Sequence, residues 1–412
     1  MIPNLAWRNI WRNPTRSAVV IIAIALGIWA AMFMSGFATG MAQSYINNSI
    51  ANRISHLQIH HPDYQLDKET AFYIPEIISL QDALEAQPFP INYSFRTLAN
   101  GMIASSKSSR GIQINGIIPE REDEVTSLQN KVIEGDYFTK KGKNQLLIST
   151  SLAKKLGVKL RSRLVLTFQD VNRDITSAAF RVTGLFDTGN TPFDESLVFV
   201  RQADLEKLLQ GSGEEAETSA KLVHEVAVFL EDADNLPLLE TELNSSFPKL
   251  EIQNYRALSP DVQLYESMIG SISMIYLVII MLALIFGIIN TMLMAVLERT
   301  RELGMLMAIG MNKVKVFGMI LFETLLLCMV GMPLGILLGG ITTAYVGRYG
   351  LDLSAFSSSL KMYGLSDMIY FDLDPTVYWQ VAISVSLTAL LAAIYPALKA
   401  IRLKPVEAIR KI

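Results

Sequence analysis

The chain has 412 residues, half of them hydrophobic and only 18% charged, a balance that points to a membrane protein of two or three domains rather than an ordinary soluble one. A net charge of −3, with no dense lysine-arginine block away from the flanks of apolar segments, excludes nucleic acid as a partner. The single cysteine, Cys328, excludes an intrachain disulfide and a multi-cysteine metal site, and its apolar surroundings read as those of a buried structural thiol.

Residues 1–16 read as a cytoplasmic amphipathic helix, with Trp7, Ile10 and Trp11 on one side and Arg8 and Arg12 on another. Pro14 separates it from the first of four runs that reach the roughly 20 apolar residues a bilayer requires: 17–37, 268–297, 316–346 and 378–398. The first run follows arginines as a secretory signal would, but it is too long for one and three more spans follow, so it reads as a retained helix. Basic residues close to the spans set the orientation. Arg8, Arg12 and Arg16 precede the first span; Arg299, Arg301, Lys313 and Lys315 separate the second from the third; Lys399, Arg402, Lys404, Arg410 and Lys411 follow the fourth. The 347–377 loop instead carries Asp352, Asp367, Asp372 and Asp374 against Arg348 and Lys361. Segment 298–315, the 399–412 tail and both termini are therefore expected inside, and 38–267 and 347–377 outside.

Residues 38–267 should fold as an extracytoplasmic domain on a stalk. GIQINGII from Gly111, QLLIS from Gln145, RLVLTF from Arg163, AFRVTGLF from Ala179, SLVFV from Ser196 and EVAVFL from Glu225 read as strands. SLAKKLG from Ser151 and QADLEKLLQ from Gln202 read as helices, the latter followed by the loop-like GSGEEAETS. The expected fold class is an α+β membrane protein: four transmembrane helices with a large mixed α/β extracytoplasmic domain inserted between helices 1 and 2.

Motifs that carry chemistry are absent. No GxxxxGK[ST] loop occurs, Gly142-Lys143 lacking the upstream glycine and the downstream hydroxyl, and there is no G-x-S-x-G or HExxH, so the chain is not expected to be an enzyme or to bind a cofactor. His56 and His60 share a strand face near His61 and Asp63, but a metal needs three or four converging ligands and His224 is distant in sequence; no metal site is expected.

Other patterns suggest contacts. Gly331, Gly335 and Gly339 are four apart and let another helix approach closely, Pro333 should kink that helix, and Glu323 must face protein or the inner interface. A proton relay at Glu323 would need a second intramembrane acid, and none accompanies it. Met32, Phe33, Met34, Phe37 and Met41 crowd the outer end of the first span, and Met268, Ile269 and Met274 that of the second. Such side chains suit a surface that accepts acyl chains or apolar peptides, and equally suit plain lipid contact. After the second span a solvated helix end explains Arg299 and Arg301 but not LGMLMAIGM from Leu303, an apolar stretch that needs a partner.

The stretch NTMLMAVLERTRELGMLMAIG from Asn290 resembles the signature of the FtsX-like permease family, membrane subunits of mechanotransmitting ABC transporters. Glu298, Arg299, Arg301 and Glu302 match its acidic-basic cluster, and Gly304, Ala308 and Gly310 its small positions. EGDYF from Glu134, LLISTSLAKKLGVKL from Leu146 and VTGLFDTGNTPFDESLVFV from Val182 are similar to the periplasmic core domain shared by MacB-type and lipoprotein-releasing (LolC and LolE) permeases; Arg161 stands where that family more often has glycine. SYINNSIANRISHLQI from Ser44 and SPDVQLYESM from Ser259 match stalk segments, and YPALKAIRLKPVEAIRKI closes the resemblance.

The resemblance implies a permease in the bacterial inner membrane that extracts lipoproteins from the outer leaflet for release to the periplasm. The alternatives are MacB-type export of a peptide, toxin or drug, or a non-transporting module that controls a cell-wall hydrolase or sensor kinase. It also implies ATP and Mg on a separate cytoplasmic ATP-binding subunit dimer, a second permease copy or paralogue, contact with membrane lipid, and a periplasmic chaperone or adaptor. Residues 298–310 would couple to the ATP-binding subunit by seating Leu303, Met305, Leu306 and Ile309 in its groove, and Met32, Phe33, Phe37, Met41, Met268 and Ile269 would contact cargo. The short hairpin DVNRDITS from Asp170, where C-type releasing permeases carry a longer hook, favours an E-type subunit or a different cargo.

Overall fold

The computed structural model describes residue 7 and residues 12–139, 142–210 and 221–402. Most of the expected amphipathic helix at 1–16, the loop GSGEEAETS, and the tail beyond residue 402 with Lys404, Arg410 and Lys411 lie outside the described residues. The chain divides into two compact units, one of Met1–Ala42, Glu266–Asp352 and Met368–Ile412, the other of Gln43–Tyr265 and Leu353–Asp367.

Four helices dominate the first unit: Pro14–Ser49, Pro260–Glu298, Lys313–Tyr349 and Pro375–Ile401, each long and apolar enough to cross a membrane by length and composition. Their ends are written in the sequence. Proline opens three of them, where its missing N–H costs nothing. The Asp374 carboxylate accepts from Thr376 N at 2.7 Å and the Asn312 side chain from Val314 N at 3.2 Å, both as N-caps, while Gly350 at φ +75° ends the third long helix. Ile24, Ile28 and Met32 meet Leu284, Ile288, Ile320, Leu327, Val385 and Ala389 in one apolar core.

The second unit is built on a ten-stranded sheet: β1 Leu57–His60, β2 Ile91–Ala104, β3 Ser109–Ile117, β4 Val132–Gly135, β5 Gln145–Ser149, β6 Arg163–Gln169, β7 Ile175–Phe186, β8 Leu197–Arg201, β9 Glu225–Leu230 and β10 Glu251–Asn254. Its order is β10-β1-β9-β2-β3-β8-β5-β7-β4, with β6 bridging β2 and β7. The pairs β3–β8 and β5–β7 are parallel. Strand β2 pairs β9 through Ile91–Arg96 and β6 through Gly101–Ala104, so the sheet forks along one strand. Gly101 permits the fork, because a Cβ there would lie 2.2 Å from the Thr167 carbonyl. Ile103, Ile114, Leu146, Phe180 and Val198 fill one core; Leu57, Ile59, Phe95, Val226 and Leu239 fill another.

Candidate coupling and cargo sites

The second long helix stops at Glu298, Arg299 leaves helical geometry at ψ 11°, and a short helix runs Thr300–Ala308. Gly310 closes it at φ +100°: Met311 N–H donates to Leu306 O at 3.0 Å and Gly310 N–H to Met307 O at 3.2 Å, the paired closure that requires a left-handed residue and so favours glycine. The charged cluster ties this segment to other helices. Arg12 pairs with Glu302 and Arg16 with Glu298, while Arg299, largely buried, holds Glu323 at 3.1 Å. Glu323 thus has the cation that an acid inside an apolar run demands; the sequence asked for protein or the inner interface beside it without naming Arg299. Arg301 is exposed.

The apolar residues lie differently from the expectation that Leu303, Met305, Leu306 and Ile309 all seat in a partner groove. Leu303 and Gly304 are buried, and Leu306 is half-buried against the core of its own unit. Met305 is 53% and Ile309 77% exposed, and Ala308 and Gly310 lie open beside them. Leu303 and Leu306 therefore serve packing within the chain, as members of the apolar core of their own unit. A pocket of 370 Å³ opens beside the short helix, lined by Arg12, Met292, Arg299, Leu303, Met305 and Glu323 among others.

Gly331, Gly335 and Gly339 of the third long helix receive the first long helix. An added Cβ would lie 3.0 Å from Ile24 Cγ2 at Gly331, 2.7 Å from Ile28 Cβ at Gly335 and 2.4 Å from Met32 Sδ at Gly339. Met32 is fully buried in this contact and has no surface left for a cargo, which corrects its expected role. Phe33 and Phe37 stand edge-on to Phe371, with ring centroids 5.2 and 6.4 Å away, a partner that no sequence periodicity announced. Met41 and Ile269 are half-buried and Met268 is exposed. The candidate cargo residues thus divide between core, aromatic cluster and surface.

In the sheet unit the histidines serve the backbone. Leu230 N–H donates to His56 Nδ1 and Leu98 N–H to His224 Nδ1, each at 3.1 Å, and His224 Nε2 donates to Thr70 O at 2.9 Å. His60 Nδ1 lies 3.1 Å from His224 O, and Asp63 N–H donates to His61 Nδ1. Burial lowers the pKa of His56 and His60 and pushes His224 down to about 4. Among the described residues no group of three His, Cys, Asp or Glu side chains could hold a metal. The largest buried charge cluster was not anticipated: Arg96 holds Glu122 through Nε and Nη2 at 3.0 and 2.7 Å and Glu225 through Nη1 at 2.6 Å.

Residues 274–405 match the FtsX-like permease C-terminal family and residues 17–246 the MacB-like periplasmic core domain. The lipoprotein-releasing system transmembrane protein LolC of Xylella fastidiosa is 25% identical over 314 residues, 72% of each chain. The corresponding LolE of Haemophilus influenzae is 23% identical over 327 residues, 74% of each chain. The macrolide export ATP-binding/permease protein MacB of Rhodopirellula baltica is 28% identical over 202 residues, 47% of this chain and 27% of that one. With one match across the sheet-bearing half and another across the last three long helices, the chain belongs to the FtsX-like ABC transporter permeases of the LolC/MacB kind, with a MacB-like periplasmic core domain.

Proposed function

We propose that this chain is the permease subunit of a mechanotransmitting ABC transporter that extracts lipoproteins from the outer leaflet of the bacterial inner membrane and releases them to the periplasm. In this reading the spans at 17–37, 268–297, 316–346 and 378–398 cross the membrane, both termini are cytoplasmic, and the sheet unit lies outside. Helices of 36 and 39 residues are about 55 Å long at 1.5 Å per residue, nearly twice the roughly 30 Å hydrocarbon core; the excess forms the stalk. The chain hydrolyses nothing. ATP and Mg bind a separate cytoplasmic ATP-binding subunit dimer, a second permease copy or paralogue completes the complex, and a periplasmic chaperone or adaptor takes the cargo.

The observation that carries this reading is the tip of the short helix Thr300–Ala308. Buried Leu303 and the Arg12–Glu302 pair hold it to its own unit, while Met305 and Ile309 are exposed. An apolar tip beside positive-inside arginines fits the groove of a cytoplasmic subunit. Burying an isoleucine contributes about 1.5–3 kcal/mol, so Ile309→Asp should weaken capture of the ATP-binding subunit by about 10- to 100-fold, as read by co-purification and ATPase of the full complex. Full retention with full ATPase would overturn the coupling role. A cysteine replacing Asn172 should react with an impermeant thiol reagent in spheroplasts and one replacing Val314 should not, both in a Cys328→Ala background; the reverse pattern inverts the topology.

A second reading, MacB-type export, draws support from the hairpin tip between β6 and β7. There Asp170 N–H and Asp174 O close a tight turn at 2.9 Å, with no length for a hook. Proteoliposomes in which the complex assembles and hydrolyses ATP yet releases no lipoprotein would favour export.

A further inference from the structure

The first long helix does not end in an ordinary cap. After Ser49 it widens into a π-turn, Ile50–Ile54, and Ser55, buried at φ 56° and ψ −168°, turns the chain directly into β1. Such turns leave carbonyls without helical partners. Two cations from distant elements take them. Lys131, which ends the 3₁₀ turn Leu128–Lys131, donates to Ala51 O at 3.1 Å, to Asn52 Oδ1 at 2.5 Å and to Thr126 O at 2.6 Å. Arg96, in mid-sheet on β2, donates from Nη1 to Arg53 O at 3.1 Å while its other nitrogens hold Glu122 and Glu225.

We propose that Lys131 and Arg96 form a clamp that locks the end of the first long helix to the sheet, so that displacement of that helix carries the sheet unit with it as one body. This rests on the permease reading above and names the joint through which the motion passes. Both cations sit at a helix C-terminus, where the aligned peptide dipoles favour positive charge. Glu122 and Glu225 hold Arg96 from the other side, and Glu122 is completely buried, so directional polar bonds add to the apolar packing of Ile50 and Ile54 at this joint. Apolar surfaces slide past one another; directional bonds to three successive residues of a helix end resist both rotation and withdrawal. Arg96 belongs to β2, which pairs with β9, β3 and β6, so a pull on Arg53 is distributed to three neighbouring strands at once. Lys131 leads straight into β4 at the far edge of the same sheet. The helix end is thereby held at two separated points of the sheet.

Lys131 and Arg96 are positioning residues, and the test separates transmission from simple support. Spin labels on cysteines replacing Gln43 and Ser245, both exposed, in a Cys328→Ala background report the helix-to-sheet distance in the full chain reconstituted with its ATP-binding subunit in nanodiscs. The unsubstituted clamp should give one narrow distribution. Lys131→Met should at least double its width and lower lipoprotein release per ATP hydrolysed about tenfold, with ATPase retained, and Lys131→Arg should restore both. If Lys131→Met fails to fold, Asn52→Ala removes only one anchor and is expected to broaden the distribution to a lesser degree. An unchanged distribution in a folded variant, or a broadened one with normal release per ATP, overturns the clamp. Failure of the unsubstituted chain to assemble with the ATP-binding subunit, or to release lipoprotein, would instead overturn the permease reading and leave the distance result standing.

Discussion

The last long helix buries Ala382, Ala389, Ala392, Ala393, Ala397 and Ala400 and turns Trp379, Ile383, Leu387, Leu391 and Tyr395 outward, each more than half exposed. The sheet unit does the reverse: Phe180, Phe186, Leu57 and Ile103 are fully buried, and β6 alternates exposed and buried positions from Arg163 to Gln169. Water drives large apolar side chains inward. Lipid gives no such drive between helices, and small residues that let backbones approach become the packing material instead. The last long helix thus follows a packing rule opposite to that of the sheet, as expected if the two meet different solvents.

The strongest way to break that comparison is to put bulk where the helical unit depends on its absence. At Gly335 the first added carbon would lie 2.7 Å from Ile28 Cβ and 3.0 Å from the Ala25 carbonyl, whereas at Gly287 it would meet nothing within 4 Å. Overpacking a filled contact costs about 1–3 kcal/mol and more where backbone blocks relaxation. Gly335→Leu should therefore abolish most of the monodisperse protein recovered in detergent, and Gly287→Leu should leave recovery unchanged. Equal behaviour of the two variants would mean that helix packing here does not rest on small residues.

The sheet unit differs also in how it holds charge. Asp194 is 3% exposed and accepts from the Thr188 hydroxyl at 2.7 Å; burial pushes its pKa from 3.8 up to about 7. Because the folded-state value is the higher one, the bound proton stabilises the fold at low pH, and that contribution is lost as pH rises through about 7. Between pH 5 and 8 the loss amounts to about 2–3 kcal/mol. Asp194→Asn should remove this dependence, raising the calorimetric transition of the sheet unit at pH 8 far more than at pH 5. A pH-independent shift would show that Asp194 is charged throughout.

Strands with one wet face were legible: RLVLTF and AFRVTGLF alternate, and β6 and β7 occupy them. The longest strand was not. From Tyr93 to Ala99, β2 is buried or nearly so on both faces and includes Ser94, Arg96 and Thr97, so no period of two survives. Arg96 and Thr97 are tolerated because Glu122, Glu225 and the Leu222 carbonyl satisfy them, and partners 26 to 129 residues away leave no local trace. The short helix Thr300–Ala308 was half legible for the same reason. Its apolar content marked it as a contact element, but Leu303 and Leu306 face a core to which Val20, Ile24 and Ala397, far off in sequence, contribute.

Arg161 tests the finest grain of the comparison, a surface position in the sheet unit where backbone rather than packing sets the residue. It is the third residue of a four-residue turn closed by Ser162 N–H on Lys159 O at 3.1 Å, and its own N–H donates to Val182 O at 2.8 Å. Its φ of 65° is left-handed geometry that costs an L-residue about 1–2 kcal/mol. Glycine returns about 0.5–1 kcal/mol of that through its floppier unfolded chain. Arg161→Gly should therefore stabilise the sheet unit by about 0.5–1 kcal/mol, a rise of about 1–4 °C in its calorimetric midpoint. Arg161→Ala, which keeps the Cβ, should give no such gain. The side chain is exposed, so neither change disturbs a core contact, and a lower midpoint for the glycine variant would mean that the arginine side chain contributes more than its backbone strain costs.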